Sequence, residues 1–365
     1  MAAPPLSSAS LPVGAAPPPV IYALRIPAIL LAVVIVLLAW RAYRRGRATR
    51  GTLLFSVAIA AAVTAVAVSP SIVYTIRDRV GIADNPLSGL VVALVIVAAV
   101  QMVVLLWVLV RLDASRRILD HTFAAVAMQS LELPPGCEHS AIAVVIPALE
   151  EAGTLGAVIE AIPAVMHGAG VLAVVVDDGS RDATRQVARD AGAAVVSHPV
   201  TRGGGAALRL GYEVGSRLGA GSIVTMDADG QHDPAEMPRL VEPILAGRAD
   251  LVIGSRVLGQ EQGAVLTRRM GVRAFNSVIS LLARRRVTDC SSGYRAFSTG
   301  AIERLRLRED QFHTGETILA AVRVHLRLEE VPITVHRRLV GESKKPGTMR
   351  YGLAFFRAMM RAWMR

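Results

Sequence analysis

Cysteine is almost missing from this chain of 365 residues: Cys137 and Cys290 stand alone and far apart. That spacing excludes a thiolate metal site and a disulfide framework, and a cytoplasmic domain would keep both thiols reduced, so they read as structural or incidental. Charge is missing too, but only from certain stretches. Residues 26–40 are an unbroken apolar run reaching back past Arg25 to about Val20, and residues 51–69 and 87–110 hold no charged side chain. About 20 apolar residues span a bilayer core as a helix, so three transmembrane helices are predicted within residues 20–110. A cleaved signal peptide is disfavoured for the first, because no lysine or arginine precedes Arg25 and Trp40-Arg41 is not a small-residue cleavage site. Nucleic-acid motifs are also absent. The net charge of +11 comes with arginines grouped beside the apolar runs and near the C-terminus, which points to anionic lipid and away from nucleic acid.

What is present divides the chain into a membrane part and a catalytic part. Hydrophobic residues make up 53% of the sequence, enough for membrane segments plus a full soluble domain. Residues 1–19 are predicted as a disordered tail. Arg41, Arg44, Arg45, Arg47 and Arg50 fill the first connection, whereas the second balances Arg77 and Arg79 against Asp78 and Asp84. The positive loop lies inside, so the first connection and everything after the third span are predicted to be cytoplasmic, in a multi-pass protein of the cell membrane. Residues 111–140 read as a helical connector broken at Leu133-Pro-Pro-Gly136. From Ala141 strands and helices alternate: strands over 141–146, 171–176, 193–197 and 222–226, and helices near 153–166, 182–191 and 205–218. Such alternation implies an α/β domain with a mostly parallel sheet flanked by helices.

Two of these strands end in acids. Ile223-Val-Thr-Met226 runs into Asp227-Ala228-Asp229, and Val171 to Val176 runs into Asp177-Asp178-Gly179-Ser180. Side chains alternate in an extended chain, so Asp227 and Asp229 are predicted to face one side and share a hard cation, magnesium or manganese, suited to a bound diphosphate. Either acidic turn alone is ordinary loop chemistry; together, on one sheet edge, they point to a nucleotide site.

Val144-Val-Ile-Pro-Ala-Leu-Glu-Glu151, Asp177-Asp-Gly-Ser180, Asp227-Ala-Asp229 and Gly341-Glu-Ser-Lys344 occur in one order that resembles the family 2 glycosyltransferases with the GT-A nucleotide-diphospho-sugar transferase fold. Within that family the resemblance is strongest to the polyprenyl-phosphate sugar synthases, over residues 141–350, preceded here by an all-α transmembrane region. It implies a nucleotide-diphosphate sugar as donor and polyprenyl phosphate as acceptor, with transfer of one sugar by inversion at the cytoplasmic leaflet. Pro147, Leu149 and Glu151 match the nucleotide-binding loop, Val176 and Asp178 the part that holds base and ribose, and Asp227, Ala228 and Asp229 the diphosphate and metal site. Arg256, Arg338 and Lys344 match phosphate-binding positions. Arg256, Arg268, Arg273 and Arg338 are the candidate acceptor-phosphate cations, with Arg269 beside them, since arginine's fork suits phosphate.

The sequence departs from the family pattern at Glu150, usually Asn, and at Thr201-Arg-Gly-Gly-Gly205, which lacks the usual asparagine and lysine. Glu150 either adds a carboxylate beside the nucleotide or points outward. Glu316 either orients sugar or lipid or is a first-turn acid stabilised by the helix dipole. His232 either touches the metal motif or is a turn residue. The terminal stretch 351–365 places Leu353, Phe356, Met360 and Trp363 on one helical stripe with interleaved arginines, the pattern of an interfacial helix. Transfer to another lipid or glycan, and a catalytically silent nucleotide-binding scaffold, are the alternative functions. A processive polymerase is disfavoured, because no span follows the catalytic domain and Gln-x-x-Arg-Trp is missing.

Overall fold

The computed structural model describes residues 19–46, 48–68, 87–262, 266–337 and 348–364. The chain forms two compact units, Met1–Arg117 and Ile118–Arg365. In the first, helices α1 (Pro19–Arg44) and α2 (Arg50–Val68) coincide with two of the expected spans; α3 (Leu87–Met128) runs through the third and on into the expected connector, its residues from Ile118 onward belonging to the second unit. Among the described residues, only Ile26–Arg44 is both long and apolar enough to cross a bilayer; the apolar parts of α2 and α3 are shorter. Ile26, Leu30, Leu37 and Leu38 on α1 and Leu54 on α2 are more than half exposed. The predicted tail and the second connection with Arg77 and Arg79 lie outside the described residues.

The second unit is built on one mixed sheet. Strands β1 (Ile142–Ala148), β3 (Ala169–Asp177), β4 (Ala194–Ser197), β5 (Ser222–Thr225), β6 (Leu251–Glu261), β7 (Arg295–Ser298) and β8 (Leu328–Val335) lie in the order β4-β3-β1-β5-β7-β6-β8. All run parallel except β7, which is antiparallel to both β5 and β6. Helices cover both faces, so the central strands are buried on both sides and read as unbroken apolar runs. Along β1, Ala143 and Val145 enter one core while Ile142, Val144 and Ile146 enter the other. On the first face, helix α6 (Gly204–Arg217) approaches so closely that a Cβ on Gly211 would stand 2.2 Å from Val145 Cγ1.

One expected helix is corrected. Instead of spanning 153–166, helix α4 covers only Leu155–Glu160. Pro163 disfavours helical geometry at Ile162, and a short strand β2 (Val165–Met166) then pairs antiparallel with the start of β3. The turn between them is His167-Gly168, both at positive φ, the conformation that two-residue hairpins demand.

The C-terminal helix α11 (Thr348–Met364) has two apolar stripes, of which the sequence reading saw one. Phe355, Ala358, Met359 and Ala362 are buried against α8 (Leu266–Ala283) and α10 (His313–Arg323), with Phe355 edge-on to Phe275 at 4.7 Å. Arg361 pairs with buried Glu309 at 2.8 Å, and Arg323 donates to the Ala362 carbonyl. The expected stripe is what remains outside: Phe356 and Trp363 are exposed and Met360 is half-buried, while the Leu353 side chain lies outside the described residues.

Candidate active site

The ends of β3, β1 and β5 meet at one edge of the sheet, and β7 starts there, so four segments deliver their loops to one place. The loop after β1 is held by the acidic turn after β3. Glu150 N–H donates to Ser180 Oγ at 2.9 Å, Glu151 N–H to Thr184 Oγ1 at 3.0 Å, and Ala152 N–H to Asp182 Oδ2. Thr154 Oγ1 then donates to the Ala228 carbonyl at 2.9 Å, tying this loop to the Asp227-Ala-Asp229 segment.

Glu150 sits at φ +54°. Asparagine tolerates that left-handed region, whereas glutamate is strained there, which gives the family's usual residue a backbone reason. The carboxylate neither faces a nucleotide alone nor simply points away: Oε1 accepts from Arg181 N–H at 2.7 Å. Glu150→Asn exchanges that exposed bond for a relaxed backbone, and the expected result is a gain of about 1 kcal/mol, or a melting midpoint ~2–4 °C higher. Calorimetry checks it; a lower midpoint would show that the Arg181 bond outweighs the strain.

Asp178 is buried and fully engaged. Its carboxylate accepts from Arg202 N–H at 2.9 Å and Gly203 N–H at 2.6 Å and pairs with the His198 ring at 2.9 Å. It thus braces the glycine-rich loop 201–205. Val176, expected at the nucleotide, is instead a fully buried core residue packed toward Gly211. Pro147, Leu149 and Glu151 are half-buried at the sheet edge. Arg202 also pairs with Asp120 and lies 4.9 Å over the Phe123 ring, both on α3. The glycines answer to a close approach: a Cβ on Gly203 would stand 2.6 Å from the Asp310 carbonyl, and one on Gly205 2.1 Å from that of Glu309. Arg209 on α6 pairs with Asp310, closing the same contact.

The acid pair differs from its sequence-based picture. The strand ends at Thr225, and Ala228–Asp229 already form a turn, so the alternation argument does not apply. Asp227 is exposed; Asp229 is buried, with Oδ1 accepting from Gln231 N–H at 3.1 Å. Gly293 leaves room for Asp227, since a Cβ there would meet Oδ1 at 3.0 Å. His232 is buried, its Nδ1 accepts from Asp227 N–H at 3.3 Å, and its ring stacks on Tyr294 at 4.9 Å. Burial pushes this imidazole below its usual range, against the pull of Asp227 and Asp229. Tyr294 donates to the Asp233 carbonyl at 2.8 Å.

Arg256, expected as a cation open to phosphate, is instead held by acids. Its Nε donates to Asp289 at 2.7 Å and its terminal nitrogen lies 3.4 Å from Glu261. Burial lowers its pKa, but the charge and hydrogen bond of Asp289, and then Glu261, outweigh this and raise it. The segment Asp289 to Arg295, which resembles the family's acceptor-side segment, therefore locks Arg256 through Asp289 and shapes the seat of Asp227 through Gly293. Cys290 within it is buried, which pushes its thiol up to about 12 and leaves it protonated and inert. Glu316 is a first-turn acid of α10, the second of its two readings, and its carboxylate also accepts from Arg308 and Glu309 N–H groups at 2.8–3.0 Å, anchoring the loop before the helix. Arg273 is exposed on α8; Arg268 lies on the same helix, but its side chain, with Arg338 and Lys344, lies outside the described residues. His336 N–H donates to the Gln231 carbonyl and Gln231 Nε2 to the His336 carbonyl, tying the end of β8 to the acid motif.

Residues 143–306 match the model of glycosyl transferase family 2. A UDP-N-acetylglucosamine–dolichyl-phosphate N-acetylglucosaminyltransferase of Methanococcus voltae is 31% identical over 44% of this chain and 72% of its own length. The chain belongs to the family 2 glycosyltransferases. An undecaprenyl-phosphate mannosyltransferase of Micrococcus luteus is 34% identical over 48% of this chain and 75% of its own. Among solved structures, glucosyl-3-phosphoglycerate synthase from Mycobacterium tuberculosis, in complex with Mn2+, UDP and glucosyl-3-phosphoglycerate, superposes with a TM-score of 0.50 at 25% identity, covering 62% of this chain and 81% of that one. This family 2 chain is thus a glycosyltransferase with a GT-A-like α/β fold.

Proposed function

We propose that this glycosyltransferase is anchored in the cell membrane and transfers one sugar, with inversion, from a nucleotide-diphosphate sugar to polyprenyl phosphate at the cytoplasmic leaflet. The observation that carries the reading is that the Asp227-Ala-Asp229 turn and Arg256 both act on His232, at the sheet edge where the loops after β1, β3 and β5 converge. The named relatives that act on dolichyl and undecaprenyl phosphate support the acceptor class. The exposed Phe356 and Trp363 on α11, with Arg357 between them, support a lipid-facing surface close to an acceptor whose head group is polar and whose tail is not.

The residues fit a divalent cation. Asp227 and Asp229 act together with Asp289 and Arg256 on His232, and Arg256 is itself paired with Asp289 and Glu261. Among the described residues no third Asp, Glu, His or Cys completes a metal-binding set with Asp227 and Asp229. Two hard oxygen donors suit magnesium or manganese. Asp227 and Asp229 would hold the ion, which when bound offsets the charge growing on the leaving diphosphate. An ionised acceptor phosphate is already nucleophilic, so the protein's task is to position it and overcome repulsion between two phosphates. Arg256 serves that task by exchanging Asp289 or Glu261 for an acceptor oxygen, with Arg338 and Lys344 as further cations and Arg268 and Arg273 on α8.

The test is transfer of radiolabel from UDP- and GDP-sugars to short polyprenyl phosphate with manganese or magnesium. One donor is expected to yield a chloroform-soluble, mild-acid-labile product. Nucleotide binding without any lipid product would overturn the acceptor assignment.

A further inference from the structure

His232 is more than a turn residue. Because Nδ1 accepts the Asp227 amide, the ring hydrogen sits on Nε2, and among the described residues none accepts from it. The ring is fixed on its face by the Tyr294 stack and lies among Asp227, Asp229, Arg256 and Asp289. A residue needed only to fill this space would be served by an aromatic hydrocarbon. A histidine whose one acceptor is taken by the backbone offers a single rigid, neutral N–H donor, at the point where the acid pair and the acceptor-side arginine meet.

We infer that His232 Nε2–H donates a hydrogen bond to a phosphoryl oxygen lying between the Asp227–Asp229 turn and Arg256. The assignment rests on the transferase reading above, and its chemistry is that of a preorganised donor aimed at developing negative charge. Neutrality is an advantage there, because a second cation would compete with a metal ion for the same carboxylates. The phosphoryl oxygen has two sources, the donor diphosphate and the acceptor phosphate, and both are anionic.

Three variants separate the parts of the ring. His232→Gln keeps a donor near Nε2, His232→Asn keeps an acceptor near Nδ1, and His232→Phe keeps only the stack. The expected result is that His232→Gln stays within about threefold of wild type while His232→Asn and His232→Phe lose about 10²-fold in kcat, measured at a temperature where each variant is folded. Titration of UDP and GDP in the presence of Mn2+ locates the oxygen. Weakened nucleotide binding in His232→Phe places it on the donor; unchanged binding with a raised KM for polyprenyl phosphate places it on the acceptor. A His232→Phe variant with wild-type kcat and both affinities overturns the proposal, as does equal damage in His232→Gln and His232→Phe. If His232→Phe does not fold, the Gln and Asn pair decides alone. If the wild-type protein labels no lipid, the acceptor reading fails by itself, and unchanged nucleotide binding in His232→Phe then overturns this proposal as well.

Discussion

Asp229→Asn is expected to lower transfer by about 10³-fold while leaving the fold intact, on the scale seen when one charge-stabilising group is taken from a preorganised site. The side chain is buried and its Oδ1 accepts the Gln231 amide. Asparagine has the same shape and keeps that acceptor, so the turn stays closed, but the negative charge that attracts a divalent ion is gone. Asp227→Ala should be as damaging to activity and even milder for stability, because Asp227 is exposed. The measurement is initial rate against manganese concentration, with melting midpoints alongside. A drop in kcat that excess manganese does not rescue, at an unchanged midpoint, is the expected pattern; activity within tenfold of wild type would remove Asp229 from the reaction.

Gly205→Ala has the largest expected effect on stability. An added Cβ would lie 2.1 Å from the Glu309 carbonyl and 3.0 Å from that of Asp310, and both obstacles are backbone. The segment 309–310 cannot retreat freely: Glu309 is tied to Arg361, Asp310 to Arg209, and the Gly205 amide donates to the Asp310 carbonyl at 2.7 Å. Overpacking of this kind costs about 1–3 kcal/mol, here at the upper end, which corresponds to a midpoint about 6–12 °C lower for a unit of this size. Gly204→Ala is the control, since its Cβ would meet only a His313 ring atom at 3.8 Å. Equal effects of the two substitutions in a thermal melt would refute the packing argument.

Much of the first half of the catalytic unit was legible, and the reason is burial. β1, β3, β4 and β5 are almost wholly buried, so their sequences are apolar runs, and the chain just after β1, β3 and β5 carries the motifs. The second half resists that reading. β8 carries Glu329, Glu330 and Pro332, and β6 leaves the core after Ser255, so neither gives a clean pattern. The antiparallel course of β7 depends on pairing between distant strands that no local periodicity encodes. Within the site, residue types survived better than geometry. Asp227 and Asp229 were recognised, but the argument for their shared face assumed a strand where the chain already turns. Arg256 was recognised as a cation, but its partners Asp289 and Glu261 are 33 and 5 residues away, and only the fold brings both to it. Glu150 was noticed as a substitution; its positive φ, invisible in sequence, is what makes the substitution matter.

The contact between Gly205 and Glu309–Asp310 also sets an order of events during synthesis. The loop that Asp178 braces is made early, yet the surface it closes against is made roughly a hundred residues later, at about 5–20 residues per second, so for some seconds the nascent loop has no lid. A ribosome-bound chain that has produced β1, β3, β4 and β5 is therefore still without the surface that its glycine loop packs against.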